Sequence, residues 1–353
     1  MARAGRFLIY GATGYTGKLT ARAAKQQGLK PILAGRSEEK VKALAQDLGL
    51  EWRAFDLRET EKLDAALKEV DVVLHIAGPF SATSKPMADA CIRTKTHYLD
   101  ITGEIAVFEA LAARDAEAKG AGVMFLPGVG FDVVPSDCLA AHIKRRLPDA
   151  EDLKMYIGGL SGISRGTAKT MVEGVAKGTV VRRNGDIEAL EGQHEDLCDF
   201  GAGPKPTIAV SWGDVSTAWH STKIPNIEVH FEVTPQLKGM LKMPGFVKAF
   251  LGLSFMQNIL KRQIDRQPEG PTEAERKRGY AVLIGVGRNG SGTTVRTRMR
   301  TPEGYTLTAL TGLGIVKRVL EGDFKAGFQT PSLAYGPDLV MNFDGVSREE
   351  LNA

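Results

Sequence analysis

Apolar residues in the first third of the chain fall in short blocks, each followed by a polar stretch rich in helix-favouring residues. Residues 7–10 (FLIY) form the first block, and residues 15–26 read as a helix that stops at Gly28. The alternation continues, with strands expected at 31–34, 51–55, 71–77, 97–101 and 123–126. Helices are expected at 38–48, opening after the N-cap type Ser37, and at 61–69, 85–94 and 104–119. The block at 71–77 (DVVLHIA) is apolar enough for a strand buried on both faces. Six strands with five crossover helices predict an open parallel sheet covered on both faces.

From about Pro127 the pattern becomes irregular. Strands are expected at 153–157, 180–183, 207–211, 228–233, 281–288 and 292–300, with a hairpin turn at the Asn289-Gly290 pair. Helices are expected at 167–176 and 305–321. This predicts a second α/β domain built on a mixed or antiparallel sheet. A chain of 353 residues is too long for one ordinary core and suits such a division. The boundaries read as 1–134 for the first domain and 135–325 for the second, leaving 326–353 as a C-terminal segment.

The first strand runs into Gly11-Ala-Thr-Gly14-Tyr-Thr-Gly17. In a strand–turn–helix setting the first glycine permits a tight turn. The second lets the backbone approach a pyrophosphate, and the third lets helix and strand pack closely. The N–H groups and dipole at the helix start favour phosphate. Gly11, Thr13, Gly14, Tyr15, Thr16 and Gly17 are therefore candidate dinucleotide-binding residues. The second strand ends in Ala34-Gly35-Arg36-Ser37, without the acidic residue that would take the ribose hydroxyls of NAD. Arg36 and Ser37 suit the extra phosphate of NADP. Asp56, after the third strand, fits either the adenine edge or a helix cap. Ala77, Gly78, Pro79 and Phe80 follow the fourth strand, where small residues and a proline turn suit the nicotinamide half.

Two further stretches end neighbouring strands: residues 96–104 (THYLDITGE) and residues 126–137 (LPGVGFDVVPSD). They place Tyr98, Asp100, Thr102, Glu104, Asp132, Ser136 and Asp137 at one crevice, with Gly103, Pro127 and Phe131 giving it shape. Tyr98, Asp100, Glu104 and Asp132 are the candidate proton donors or substrate-positioning groups beside a hydride carrier. Glu104 also fits a helix first turn, and Asp132 and Ser136 also fit helix caps.

Composition narrows the field. The net charge of +4, from 46 basic and 42 acidic residues, makes no case for nucleic acid. Cys91, Cys138 and Cys198 are far apart, so no redox pair or zinc knuckle arises, which suits a reducing cytoplasm. No Tyr-x-x-x-Lys, His-x-x-x-His or Gly-x-Ser-x-Gly occurs, and no metal is expected. No signal peptide is read at the N-terminus, and the longest uncharged runs fall short of the roughly 20 residues of a membrane span. Residues 237–264 are apolar, Met-rich and basic at their ends. They read either as core or dimer-interface helices or as a surface for lipid or a long acyl chain.

The motifs GATGYTG, AGRS, AGPF, THYLDITGE and PGVGFDVVPSD together resemble the saccharopine dehydrogenase-like oxidoreductases, and most the bacterial branch that includes trans-acting enoyl reductases. Residues 211–229 and 269–279 extend the resemblance over most of the chain. It implies a Rossmann domain that binds NADP(H), a second domain that covers the nicotinamide and mediates a homodimer, and a helix over 326–340 returning to the first domain. The second domain is shorter than in the lysine-pathway enzymes, which argues against saccharopine as substrate. The function expected is hydride transfer from NADPH to a C=C or C=N bond of a small or acyl-chain substrate. The alternative is an NADP(H)-binding sensor without turnover. Arg165 and His220 are weaker candidates, each also fitting a structural role.

Overall fold

The computed structural model describes residues 5–160, 162–174, 178–234, 239, 247 and 250–352. It divides into two compact units, residues 1–134 with 304–343, and residues 135–303 with 344–353. No helix among the described residues is long and apolar enough to cross a membrane.

The first unit is built on β1 (Phe7–Tyr10), β2 (Ile32–Gly35), β3 (Trp52–Ala54), β4 (Val72–His75), β5 (His97–Asp100) and β6 (Met124–Leu126). Between them lie α1 (Tyr15–Gln26), α2 (Glu38–Leu48), α3 (Thr60–Leu67), α4 (Phe80–Thr94), α5 (Ile105–Ala112) and α6 (Asp115–Ala121). The strand order is β6-β5-β4-β1-β2-β3, and a two-residue strand, Gly327–Phe328, adds to the free side of β6. All these pairings are parallel. The order reverses between β1 and β4, the switch point at which open α/β sheets bind ligands beyond the carboxyl ends of their strands. Leu8, Ile9, Leu33, Val73 and Leu74 are fully buried in the middle of the sheet. Each contributes about 1.5–3 kcal/mol by leaving water, which holds those strand ends in place.

The structure departs from the sequence reading at four places in this unit. The α4 helix starts at Phe80 rather than at residue 85, because a distant carboxylate caps it (below). The single helix expected at 104–119 is two, with a break at Ala113–Arg114. The helix Gly304–Leu320, expected in the second domain, belongs to the first unit. Its small residues allow close approach: Thr311 donates to the Val129 carbonyl at 2.7 Å, and a Cβ at Gly312 would already touch Leu74. Residues 326–340 do not form one returning helix. They hold the short strand, the helix Pro331–Tyr335 and part of a 3-10 turn at Leu339–Asn342.

The second unit carries a nine-stranded sheet. Its main path runs Glu195–Asp199, Pro204–Ala209, Asn226–Glu232, Ala150–Gly158, Tyr280–Asn289, Thr294–Pro302 and Ser347–Leu351. Asn226–Glu232 and Ala150–Gly158 pair in parallel and the rest of that path is antiparallel, so the sheet is mixed. Leu153, Met155, Ile227, Val229, Leu283 and Met299 are buried. Helix Val134–Arg146 packs at Gly285 and Gly287, where a Cβ would meet Leu139 and Ile143. That helix is absent from the sequence reading because Pro135 and Asp137 look like loop residues. Both sit in its first turn, where proline and a negative charge are tolerated or favoured. Strands Asp186–Ala189, Glu195–Asp199 and Ser347–Leu351 were also unread, being charged and largely exposed. Part of the Met-rich stretch, most of residues 237–249, lies outside the described residues. Its end, Ser254–Ile264, is a helix with Phe255 and Ile259 exposed.

Candidate functional site

The glycine turn joins β1 to α1. Gly11 has φ +87°, and a Cβ there would lie 2.8 Å from the Ala77 nitrogen, so only glycine fits between this turn and the end of β4. The N–H groups of Gly11 and Ala12 both reach the Ala34 carbonyl, at 2.9 and 3.1 Å, which ties the turn to β2. At Gly17 a Cβ would lie 2.2 Å from the Gly11 carbonyl oxygen, so its glycine serves helix–strand packing. Gly14 differs. It is the N-cap of α1, and the nearest atom to an added Cβ is 3.5 Å away, an ordinary contact. Nothing among the described residues requires glycine there, which fits a backbone left bare for a ligand. The N-cap of α1 makes no side-chain cap hydrogen bond and the helix's first turn holds no acidic residue, which suits an anionic ligand at this end. Thr16 is buried beneath this end and Tyr15 packs edge-on against Tyr305 at 5.0 Å.

The end of β2 adjoins the same turn, since a Cβ at Gly35 would lie 3.9 Å from the Thr13 hydroxyl. Arg36 is exposed and makes no hydrogen bond or ion pair among the described residues. Ser37 is the extended N-cap of α2, with its hydroxyl unused as a cap. This leaves a guanidinium, a hydroxyl and a helix N-terminus together, the donor set a phosphate monoester requires. Asp56 is otherwise engaged. It accepts from the Arg58 backbone at 3.0 Å and from the Arg58 guanidinium at 2.7 Å. The Arg58 side-chain hydrogen bond, above all, holds its carboxyl below the usual range. Glu59, not Asp56, occupies the N-cap position of α3.

Beyond β4 and β5 the chain builds a relay of hydrogen bonds. Asp100 is fully buried. Its Oδ1 accepts from the N–H groups of Thr102 and Gly128, each at 2.9 Å, and its Oδ2 accepts from the Tyr98 hydroxyl at 2.5 Å. Burial pushes the Asp100 carboxyl up to about 6, opposed by those three hydrogen bonds. Burial also drives the Tyr98 phenol well above its ordinary value, with the Asp100 charge adding to it. Thr102 then takes the Glu104 N–H at 3.0 Å. Glu104 in turn accepts the N–H groups of Phe80 and Ser81, at 2.7 and 2.9 Å, and so caps α4 from the next crossover. Thr83 donates to the Ala77 carbonyl at 2.7 Å, closing the turn that holds Gly78 and Pro79. Thr83, Gly128, Thr308 and Thr311 are the parts missed in the sequence. The spacing Asp100-x-Thr102-x-Glu104 was the available signal, because Asp and Thr side chains bond the backbone two residues on.

Of the four candidate proton donors, Tyr98, Asp100 and Glu104 are thus engaged in holding loops. Asp132 is not. Its Oδ2 would be 3.0 Å from a Cβ at Gly103, and its carboxylate has no hydrogen-bond or ion-pair partner among the described residues. It is half-buried, and loss of solvent pushes it up to about 7. The neighbouring Phe131 N–H is held by Thr308 Oγ1 at 2.9 Å, so the loop carrying Asp132 is fixed to the helix Gly304–Leu320. Ser136 and Asp137 are buried in the second unit, where Asp137 accepts from Ser221 at 2.7 Å. Arg165, also there, spends its Nε on the Gln267 carbonyl at 2.5 Å.

Comparison with known proteins agrees with this geometry. Residues 7–126 match the saccharopine dehydrogenase NADP binding domain. The chain is similar to a trans-acting enoyl reductase of Mycobacterium leprae, with 34% identity over 148 residues, 40% of this chain and 35% of that protein. A trans-acting enoyl reductase of Mycobacterium ulcerans is 31% identical over 153 residues, 41% of this chain and 36% of that protein. The chain thus spans little more than a third of the length of these relatives. In fold it is similar to the apo histidine-tagged saccharopine dehydrogenase (L-Glu forming) from Saccharomyces cerevisiae, with TM-score 0.66 and 15% identity, covering 99% of this chain and 100% of that one. Residues 7–126 are therefore an NADP-binding domain of the saccharopine dehydrogenase type, in a chain that has the saccharopine dehydrogenase fold.

Proposed function

We propose that this chain is an NADP(H)-dependent oxidoreductase that transfers hydride to a C=C or C=N bond of a small or acyl-chain substrate other than saccharopine. The observation that carries the reading is Asp132, an unpaired carboxyl tuned to about 7 on the loop after β6, in the unit that carries the glycine cradle. Gly11, Thr13, Gly14, Tyr15, Thr16 and Gly17 would hold the pyrophosphate, Arg36 and Ser37 the 2′-phosphate, and Ala77, Gly78, Pro79, Phe80 and Gly103 the nicotinamide half. NADPH, when bound, supplies the hydride.

Hydride addition at one end of a C=C or C=N bond leaves an electron pair on the other end, which must take a proton. A carboxyl titrating near 7 is half protonated at neutral pH and suits that transfer. Asp132 donates the proton and is left as carboxylate, to be reprotonated from solvent. Tyr98, Asp100 and Glu104 act as positioning residues that keep the loops after β4, β5 and β6 in register. The name of the mycobacterial relatives, enoyl reductase, favours a C=C bond beside an acyl carbonyl over a C=N bond.

The test is NADPH consumption, followed by nicotinamide absorbance, with a panel of enoyl thioesters, imines and ketones. Turnover on an enoyl thioester, reduced by about a hundredfold or more in Asp132→Asn with NADPH affinity retained, is expected. Absence of turnover on the whole panel would overturn the reductase reading. A wild-type rate in Asp132→Asn would overturn the assignment of the proton donor.

A further inference from the structure

One face of the second unit's sheet closes on itself. Lys154 lies opposite Val286, Val286 opposite Arg296, and Arg296 opposite Leu351, so these four share one face. In pairing order two strands separate Glu195–Asp199 from Ala150–Gly158. Yet Asp196 Oδ2 accepts from the Tyr156 hydroxyl at 2.6 Å and from Lys154 Nζ at 3.0 Å. The sheet must therefore coil until its edge strand faces its own middle. The result is a basin of about 530 Å³ lined by Tyr156, Leu197, Cys198, Val286, Thr294 and Arg296. That volume lies within the range of small-molecule sites.

The floor is apolar. Tyr156, Cys198, Val282 and Ile284 pack together, with Phe200, Val286 and Leu351 against them. Cys198 is buried, which pushes its thiol up to about 12 and leaves it unreactive. Other charged groups nearby have partners. Asp196 is matched by Lys154, and Arg298 is paired with Glu349. Arg300 stacks on the Tyr280 ring at 4.2 Å. Arg296 sits opposite a leucine, and its guanidinium has no hydrogen-bond or ion-pair partner among the described residues. Its Nε is shut off from solvent and unsatisfied. A buried N–H left unpaired costs stability, and no group among the described residues compensates for it.

We propose that this basin binds an amphipathic monocarboxylate, an alkyl or aryl chain ending in a carboxylate, with the carboxylate on Arg296 and the chain against Tyr156 and Val286. A planar guanidinium beside an apolar surface recognises such a group in a way that a solvated lysine does not. One anion is matched by one cation, since Asp196 and Lys154 neutralise each other at the rim. The proposal stands apart from the hydride-transfer reading, because every residue it uses belongs to the second unit.

The experiment is calorimetric titration of the full chain with sodium decanoate, decanol and inorganic phosphate, on the wild type, Arg296→Gln and Val286→Glu, each checked for folding by its thermal transition. Decanoate is expected to bind the wild type at one site, and decanol and phosphate more weakly by about tenfold or more. Arg296→Gln should bring decanoate down to the affinity of decanol, and Val286→Glu should abolish both. Equal decanoate binding by wild type and Arg296→Gln would overturn the proposal. So would phosphate binding as well as decanoate, which would make the site a simple anion site. A chain that binds no decanoate and dimerises in a way that Arg296→Glu disrupts would give the basin to a second copy instead.

Discussion

The Glu104 carboxylate takes the backbone N–H groups of Phe80 and Ser81, at 2.7 and 2.9 Å, across 24 and 23 residues of chain. One side chain thereby satisfies two of the orphan donors at the start of α4 and fixes the Ala77–Phe80 turn. Glu104→Ala should lower unfolding stability by about 1–3 kcal/mol, read from urea denaturation. Glu104→Gln keeps one acceptor oxygen and should lose less. Neither should shift the pH profile of turnover, since Glu104 carries no proton in the proposed reaction. A profile displaced in Glu104→Gln would return this residue to the chemistry.

Asp132 gives the opposite signature. Its carboxyl is raised to about 7 by burial, against 3.8 for an ordinary aspartate. As proton donor it must be protonated, so kcat should fall as pH rises through about 7, and Asp132→Asn should flatten that limb. The stability effect has its own sign. The folded chain keeps a proton that the unfolded chain has released, so the stability tied to Asp132 is greatest below about pH 4 and is lost as pH rises through about 7. Asp132→Asn should therefore gain stability relative to wild type at pH 8 and little at pH 4. A constant difference across that range would mean that Asp132 is not perturbed.

Most of the first unit was legible in the sequence, because parallel strands buried on both faces leave continuous apolar blocks. The blocks at 7–10 and 71–77 marked β1 and β4 for that reason. What was not legible depends on contacts between distant residues. The start of α4 needs Glu104, which no pattern within residues 77–94 announces. The helix Gly304–Leu320 reads equally well in either domain. Contacts with distant residues decide it, among them Thr308 and Thr311, bonded to the loop after β6, and Gly312 against Leu74. At the site, the residue types after β5 and β6 pointed to the right loops but not to roles. Asp100 and Asp132 are both aspartates after a strand. Asp100 is enclosed by three donors and Asp132 by none among the described residues, a difference set by contacts with distant backbone and not by residue type.

Cofactor choice rests on Arg36. It is exposed and unpaired beside the open cap of α2, though Glu38 and Glu39 follow in that helix's first turn. If Arg36 holds the 2′-phosphate against that local negative charge, Arg36→Ala should weaken NADPH binding by about 1.5–3 kcal/mol, roughly ten- to a hundredfold. NADH binding should hardly change. Titration of both cofactors on both proteins checks this, and an equal loss for the two would remove Arg36 from the phosphate site.

The glycines at positions 14 and 17 separate what the ligand requires from what the fold requires. At Gly17 a Cβ would lie 2.2 Å from the Gly11 carbonyl and 2.8 Å from the Ala12 backbone, and backbone atoms in a buried turn cannot give way cheaply. Gly17→Ala should cost several kcal/mol, on the order of other overpacked cores or more, and be visible as a lowered thermal transition without any cofactor. At Gly14 the backbone is extended, with φ −73° and ψ 169°, which alanine adopts freely, and its Cβ meets nothing closer than 3.5 Å. Gly14→Ala should therefore lose no more than about 1 kcal/mol, the cost of a poorer N-cap residue. Its NADPH affinity should nonetheless fall by about tenfold or more, because the added methyl occupies the approach to the helix N-terminus. If Gly14→Ala bound NADPH like the wild type, the pyrophosphate would have to lie elsewhere, whatever the outcome at Gly17.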